Sequence, residues 1–249
     1  MNRPPLISII TITYNAEETL ERTIKSIIEQ EYRAIEYIVI DGASTDRTCE
    51  IIRRYNQHIA FWTSEPDQGL YHAMNKGLEK ATGDYVWFIN AGDEIFEKQT
   101  LKKVFEGIPF ADVYYGDTVM TNLQGELIGN RRLSPPERLT WKSFRRGMLV
   151  SHQSFIAKRK LVAPYNLKYK FSADFEWCLV ALKNASSIKN THITLSKFLD
   201  GGITKKNIVP GLKERFNIMC QYYGLPTTLA MHFPIALKFT FFLLRNKRF

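Results

Sequence analysis

The sequence predicts an α/β fold. Short, β-branched apolar runs alternate with segments of helical period from residue 6 to residue 89. The stretches between the runs are long enough to be crossover helices, which join parallel strands with right-handed connections. Several of the runs end in small polar or acidic residues.

Each element follows from its local pattern. Leu6–Thr13 is short and apolar, the texture of a buried strand. Asn15–Gln30 sets Leu20, Ile24, Ile27 and Ile28 at helical spacing. Ile35–Ile40 is a second buried strand. Thr45-Asp46 can start the next helix, with Ile51 and Ile52 turned inward. Ile59–Trp62 predicts a third strand, Leu70–Lys80 a helix and Tyr85–Ile89 a fourth strand. The first half therefore reads as Rossmann-like.

The texture then changes. Ala111–Tyr115 predicts a strand, and Thr118–Arg132 a hairpin that turns at Leu123-Gln124-Gly125-Glu126. Ser134-Pro135-Pro136 interrupts the pattern. Met148–Ile156 predicts a return to the sheet, Ser172–Lys183 a helix, and Thr191–Leu199 a strand ending at Asp200-Gly201-Gly202. Val209–Phe249 reads as terminal helices. Neither an internal repeat nor a low-complexity linker is visible.

With 45% hydrophobic and 24% charged residues, the 249-residue chain has the composition of a globular protein with a sizeable core, not of a disordered one. Its net charge is uneven. Arg131–Lys170 holds eleven Lys/Arg and one acid, Glu137, so this stretch carries the whole excess of a chain whose total is +9. A solvated basic face is one reading. An anionic membrane surface or a phosphorylated substrate is another. Nucleic acid is disfavoured, because no zinc-finger, KH or RNP signature accompanies the charge. Cys49, Cys178 and Cys220 are far apart and form neither a metal-ligand spacing nor an even disulfide set. Together with an N-terminus that lacks signal-peptide architecture, they predict a cytoplasmic location.

Four segments carry candidate chemistry. Thr13, Tyr14 and Asn15 end the first strand, where free backbone amides can face an anion and Tyr14 can stack on a base; a helix capped by Asn15 is the structural alternative. Asp41 ends the second strand, placed for a base or ribose or for a turn. Asp67, Asn75 and Lys76 lie beside glycines in the third segment. Asn90 and Asp93 end the fourth strand, where an open α/β sheet binds its ligand, and a carboxylate beside glycine there suits a divalent ion carrying phosphate. Neither a dinucleotide nor a P-loop glycine motif is present.

In this order, Ile9-Ile10-Thr11-Ile12-Thr13-Tyr14-Asn15, Asp41-Gly42-Ala43-Ser44-Thr45-Asp46, Glu65-Pro66-Asp67-Gln68-Gly69 through Asn75-Lys76-Gly77, and Phe88-Ile89-Asn90-Ala91-Gly92-Asp93 resemble the family 2 glycosyltransferases of the GT-A fold. The resemblance covers about residues 5–200. It extends to the branch that builds bacterial capsular, exopolysaccharide and lipopolysaccharide O-chains. It implies a GT-A domain over 1–208, with a nucleotide-sugar-binding half (1–117), a mixed acceptor-side half (118–208) and a helical tail (209–249).

The resemblance implies an inverting transferase, of hexosyl or N-acetylhexosaminyl class, that uses a UDP-linked sugar and Mg²⁺ or Mn²⁺. Asp93 matches the last aspartate of the family's metal motif, while Asn90 and Gly92 replace earlier acids. Asp41 matches the first of a pair of aspartates, and Gly42 replaces the second. Thr13, Tyr14, Asn15, Asp67, Asn75 and Lys76 are expected on the donor side. Asp174, within Ser172-Ala173-Asp174-Phe175-Glu176-Trp177, matches the catalytic base; a helix-start carboxylate is the alternative. His152 and Glu176 are expected on the acceptor and sugar side, and Asp200-Gly201-Gly202-Ile203-Thr204 resembles a loop that closes over the donor.

Ile235–Leu244 is apolar, is followed by Arg245, Lys247 and Arg248, and is too short to span a bilayer. It suits an interfacial helix on an anionic leaflet, or a helix packed on the core or on a second copy. The expected acceptor is a lipid-linked glycan, and the expected location is the cytoplasmic face of the inner membrane. A sugar nucleotidyltransferase would need a glycine- and arginine-rich triphosphate loop near the N-terminus, which the sequence lacks. A non-catalytic sugar-nucleotide or glycan binder remains open, because acids are thinned at Asn90, Gly92 and Ala173.

Overall fold

The computed structural model describes residues 3–105, 110–201 and 207–232. In chain order, β1 (Ile7–Thr13), α1 (Leu20–Ile28), β2 (Ile35–Asp41), α2 (Thr48–Arg54), β3 (Phe61–Ser64), α3 (Leu70–Lys80) and β4 (Tyr85–Phe88) form the first half. They are followed by β5 (Glu94–Ile95), α4 (Thr100–Phe105), β6 (Val113–Thr121), β7 (Leu127–Asn130), β8 (Phe155–Lys158), α5 (Ala173–Asn184), β9 (Ile188–Leu199) and α6 (Ile208–Tyr223). Residues 225–232 are helical again.

The described strands make one mixed sheet in the order β3-β2-β1-β4-β8-β6-β9-β5, with β7 paired to β6. β1, β2, β3 and β4 are mutually parallel, as the strand-helix alternation predicts. β8 runs antiparallel to both β4 and β6, and β9 runs parallel to β6. From β1 the chain builds outward to β2 and β3 on one side, then crosses to β4 on the other. The crevice outside the carboxyl ends of β1 and β4 is thus a topological switch point, the place where such sheets bind ligands.

Alternation along the strands divides the core into two layers. Ile10, Ile12, Ile38, Ile40, Val86 and Phe88 face α3 and α5. Ile7, Ile9, Tyr37, Val39, Tyr85 and Trp87 face α1, α2 and α4. α1 buries Leu20, Thr23, Ile24 and Ile27, one stripe of helical period. α5 is buried nearly all round, from Ala173 and Phe175 to Leu182, because it lies between the sheet, the 3-10 turn at Trp141–Arg146 and α6. α3 seats closely on β1: a Cβ at Gly77 would come within 2.5 Å of Ile10 Cγ2. A side chain there would overpack the layer by about 1–3 kcal/mol.

Several expectations need correction. α1 begins at Leu20, not Asn15, because Asn15 has a left-handed φ of 45° and is tied into loops. β3 lies two residues later than Ile59–Trp62. The strand expected over Met148–Ile156 is a 3-10 turn at His152–Ser154 before β8. Local β propensity loses there to specific bonds: Ser154 N donates to Ser151 O (3.0 Å), Ser151 Oγ to Gln153 Oε1 (2.7 Å), and the Trp87 indole to Gln153 O (2.8 Å). The strand Ala111–Tyr115 and the first arm of the hairpin form one strand, β6, with its register against β9 shifting on either side of Asp117. A Cβ at Gly116 would meet Ile193 O at 2.5 Å, so β9 crosses there at close range. β6 runs through residue 117, so the two halves share one sheet. The Ile235–Leu244 tail and Ile203-Thr204 lie outside the described residues.

Candidate active site

Two loops at the carboxyl ends of β1 and β2 are locked together. Asn15 N donates to Ser44 Oγ (2.8 Å), and Asn15 Oδ1 accepts from Thr45 N (2.9 Å). Asn15 and Ala43 both hold positive φ, at 45° and 62°. Non-glycine residues rarely adopt this conformation unless their surroundings enforce it, and it gathers at functional loops. Tyr14 stands out from this pair, 63% exposed, with its ring free to stack on a planar ligand. Asp41 is fully buried. It accepts from Ser44 N (2.9 Å) and Ser64 Oγ (2.6 Å), with the Cys49 thiol at 3.4 Å, so its carboxylate organises the floor of the crevice.

Asp67 lies against Gly42. A Cβ at Gly42 would lie 2.7 Å from Asp67 Oδ2 and 3.3 Å from the Tyr14 ring. The Asp67 carboxylate, on the loop after β3, thus occupies the space where a side chain at position 42 would begin, beside the exposed tyrosine. Asp67 Oδ1 accepts from Gly69 N (2.7 Å), which fixes its direction. Lys76, on α3, braces this loop by donating to Pro66 O (3.1 Å) and pairing with Glu65 (2.8 Å). Asn75 turns the other way. Its amide makes two bonds with the backbone of Tyr165, at 2.9 and 2.6 Å, and pins that segment to α3.

At the switch point, two buried polar atoms have no hydrogen-bond partner among the described residues: Thr13 Oγ1, at the end of β1, and Asn90 Oδ1, just past β4. Ala91 N bonds to Ile12 O (3.0 Å), so these residues are neighbours across the strand pair. Unsatisfied buried polar atoms cost about 1–3 kcal/mol each, and a ligand that meets them recovers that loss.

Asp93 lies in the same turn and is 3% exposed. Burial pushes its carboxyl up to about 7, against bonds from Leu199 N and the Gln153 side chain. Thr23 holds the turn from α1, accepting from Gly92 N (3.0 Å) and donating to Asp93 O (2.7 Å). A side chain at Gly92 is disfavoured by its φ of 98°, and a Cβ there would also displace Leu199 Cδ2, 2.6 Å away. Among the described residues no group of three His, Cys, Asp or Glu could hold a metal ion. Asp93 and the unpartnered Asn90 carbonyl are nonetheless hard oxygen donors, suited to Mg²⁺ or Mn²⁺ provided phosphate oxygens complete the set.

Asp174 sits in the first turn of α5. Its Oδ1 accepts from Tyr71 OH (3.0 Å) and Phe175 N (2.9 Å). Both bonds fall on Oδ1, so they orient the carboxylate without occupying Oδ2. Tyr71 is in the first turn of α3, directly after the Asp67 loop. It couples the Asp67 loop to the candidate base.

His152 and Glu176 are placed differently. His152 is 3% exposed, enclosed by the rings of Phe88, Tyr165 and Trp177, with Nε2 2.7 Å from Tyr165 OH. Burial pushes its imidazole down to about 4, so it is neutral at pH 7. Glu176 is buried and accepts from Tyr222 OH of α6 (3.1 Å), away from Asp174. Sequence reasoning missed Tyr71, Tyr165 and Arg131. Tyr71 alone carried a local signal, its place just inside a helix that starts at a glycine loop.

Known proteins match this arrangement. The glycosyl transferase family 2 model matches residues 8–163. An uncharacterized glycosyltransferase of Mycobacterium tuberculosis is 34% identical over 190 residues, 73% of this chain and 70% of its own length. A PGL/p-HBAD biosynthesis glycosyltransferase of Mycobacterium bovis is 29% identical over 215 residues, 82% of this chain and 81% of its own. Among solved structures, S. aureus TarS 1–349 in complex with UDP-GlcNAc superposes with a TM-score of 0.65 at 20% identity, covering 86% of this chain. This chain spans 64% of that solved 1–349 chain. A mannosyltransferase from Pyrobaculum calidifontis in complex with GDP-Man and Mn²⁺ gives 0.60 at 19% identity, covering 95% of this chain and 76% of the other. The fold is GT-A, and the chain belongs to glycosyl transferase family 2.

Proposed function

We propose that this protein is an inverting glycosyltransferase that moves a sugar from a nucleotide diphosphate sugar, UDP-linked, to a lipid-linked surface glycan of the capsular, exopolysaccharide or O-chain type. The observation that carries the proposal is the pair of unsatisfied buried atoms, Thr13 Oγ1 and Asn90 Oδ1, at the switch point. A polar ligand belongs there, between the Tyr14–Asp67 wall and the Asp93 turn.

The base and ribose lie against Tyr14 and the Asp67 carboxylate, above the floor held by Asp41. Asn15 and Lys76 keep the loops of this wall in register. Asp93, with Asn90, would hold Mg²⁺ or Mn²⁺ on the diphosphate, and the ion would supply positive charge to the departing group. Asp174 takes the proton from the acceptor hydroxyl as that oxygen attacks the anomeric carbon opposite the diphosphate. The C1–O bond to the diphosphate breaks, the new C1–O bond forms, and the configuration inverts. Tyr71 fixes the direction of Asp174 through Oδ1. The enclosed aromatic group of Phe88, His152, Tyr165 and Trp177 makes a rigid wall beside this centre.

Among the described residues no helix is long and apolar enough to cross a membrane. We place the protein on the cytoplasmic face of the inner membrane through its basic stretch and its tail. A thermal-shift screen of nucleotide sugars, with and without Mn²⁺, names the donor by mass action. NMR of the glycosylated product then gives the anomeric configuration. Retention of the donor's configuration contradicts the proposed mechanism, and stabilisation without turnover of any donor favours a sugar-nucleotide binder.

A further inference from the structure

A cleft of about 300 Å³ opens in the mixed half, away from the loops of β1 and β2. Gly116 and Thr118 of β6 form one side, Asn130, Arg131 and Leu133 another, and Ser151 closes it near the base of the turn before β8. Arg131 joins this cleft to the candidate base. Its Nη2 donates to Met148 O (2.8 Å), while Nη1 is buried without a hydrogen-bond partner among the described residues.

The charges around Arg131 are out of balance. Arg215, from α6, and Arg132 add positive charge beside it, Asp174 partly offsets them, and Asp117 lines the cleft as well. Arg215 has a buried Nε that is also unpartnered among the described residues. It acts on Tyr71 together with Asp174. Burial and the neighbouring arginines push the Arg131 guanidinium down to about 10, which still leaves it charged at pH 7. Buried charges are ordinarily paired, and a guanidinium with a free donor edge matches an oxyanion in two-point geometry. Asp174 cannot serve as the permanent counter-charge if it is to accept a proton.

We propose that this cleft is an acceptor subsite that binds an oxyanion, a phosphate or carboxylate of the acceptor, through Arg131, with Arg215 as the second positive charge. The inference rests on the transferase reading for the word acceptor, but the binding of an oxyanion does not. The same chemistry could come from the donor's diphosphate, and the test separates the two sources.

The test uses the full chain and inorganic phosphate as probe, with binding followed by ³¹P NMR and calorimetry and no turnover required. Wild type is expected to bind phosphate, and saturation with UDP and Mn²⁺ is expected to leave that affinity within about twofold. Arg131→Gln is expected to weaken phosphate at least tenfold with UDP affinity unchanged, and Arg215→Gln to weaken it severalfold. Asp174→Asn is expected to tighten phosphate, because a competing negative charge is gone, an effect that loss of folding cannot imitate. Equal phosphate affinity in wild type, Arg131→Gln and Asp174→Asn overturns the site. Displacement of phosphate by UDP overturns its assignment to the acceptor. Failure to transfer any sugar touches the transferase reading alone.

Discussion

The hydroxyl of Tyr71 donates to Asp174 Oδ1 at 3.0 Å, across 103 positions of sequence. Tyr71 lies in the first turn of α3, after the Asp67 loop, and Asp174 in the first turn of α5. One hydrogen bond thus ties the loop proposed to shape the donor site to the proposed base. Burial and the nearby Asp174 charge push the Tyr71 hydroxyl well above its ordinary value, so it stays protonated and remains a donor. Tyr71→Phe is expected to lower kcat about tenfold while donor Kd stays within twofold, because the base keeps its charge and loses its orientation. Steady-state kinetics with direct UDP titration checks this. An equal loss in donor Kd assigns Tyr71 to binding instead.

The contact between Asp67 and Gly42 makes a paired prediction. Gly42→Asp pushes a side chain into Asp67 Oδ2, which lies 2.7 Å from the position of a Cβ. UDP affinity is expected to fall at least tenfold. Asp67→Ala alone also weakens UDP. The double variant, which moves the carboxylate back to the second strand, is expected to recover most of the loss, a coupling of about 1–2 kcal/mol in a double-mutant cycle. Additive losses show that the two positions do not share one role.

Asp93 is buried, and burial raises its carboxyl to about 7. Above that pH the metal-free protein holds an unpaired buried charge. Asp93→Asn removes the charge and is expected to raise metal-free stability at pH 8 by on the order of 1 kcal/mol or more. The same change is expected to abolish the gain in UDP affinity that Mn²⁺ gives wild type. Melting curves and UDP titrations, each with and without Mn²⁺, read the two effects separately. A variant less stable than wild type at pH 8, or one that keeps the Mn²⁺ gain, contradicts this account.

His152 sets a limit on the acid side. Its folded pKa is pushed down to about 4 from an ordinary 6.5. As pH falls, the unfolded chain takes up this proton first. The contribution is intact above about 6.5 and is lost progressively towards pH 4, by up to about 3 kcal/mol. His152→Gln keeps a polar partner for Tyr165 OH and is expected to flatten this loss. Urea titrations of both proteins between pH 4 and 7 measure it; parallel curves show that His152 does not titrate as described.

Much of the first half was legible because local and global preferences agree there. Leu70–Lys80 was read to the residue: Gly69, at a φ of 113°, cannot continue a helix backwards, and the buried positions repeat at helical spacing. The ends of β1, β2 and β4 were legible as site positions because polar residues interrupt apolar runs there. What lay beyond reading depends on contacts distant in sequence. α4 was missed because its described residues, Thr100–Phe105, follow a polar stretch. His152–Ser154 looked like a strand until Trp87 and Ser151 claimed Gln153. Asn75, expected on the donor side, spends its amide on Tyr165, 90 positions away. Glu176 turned towards Tyr222 of a helix whose placement the sequence does not reveal. The role of Asp67 in filling the space at Gly42 appears only when the two loops are folded against each other.

The central claim is that Asp174 removes the acceptor proton while the β1, β2 and β4 loops bind the donor. The most direct measurement is single-turnover transfer by Asp174→Asn with saturating donor and acceptor, alongside UDP-sugar binding by calorimetry. Asparagine keeps the oxygen that accepts from Tyr71 and Phe175 and removes the basicity. The account predicts donor affinity within about twofold of wild type and a transfer rate lower by about 10²–10⁴. Transfer at the wild-type rate in this variant contradicts it.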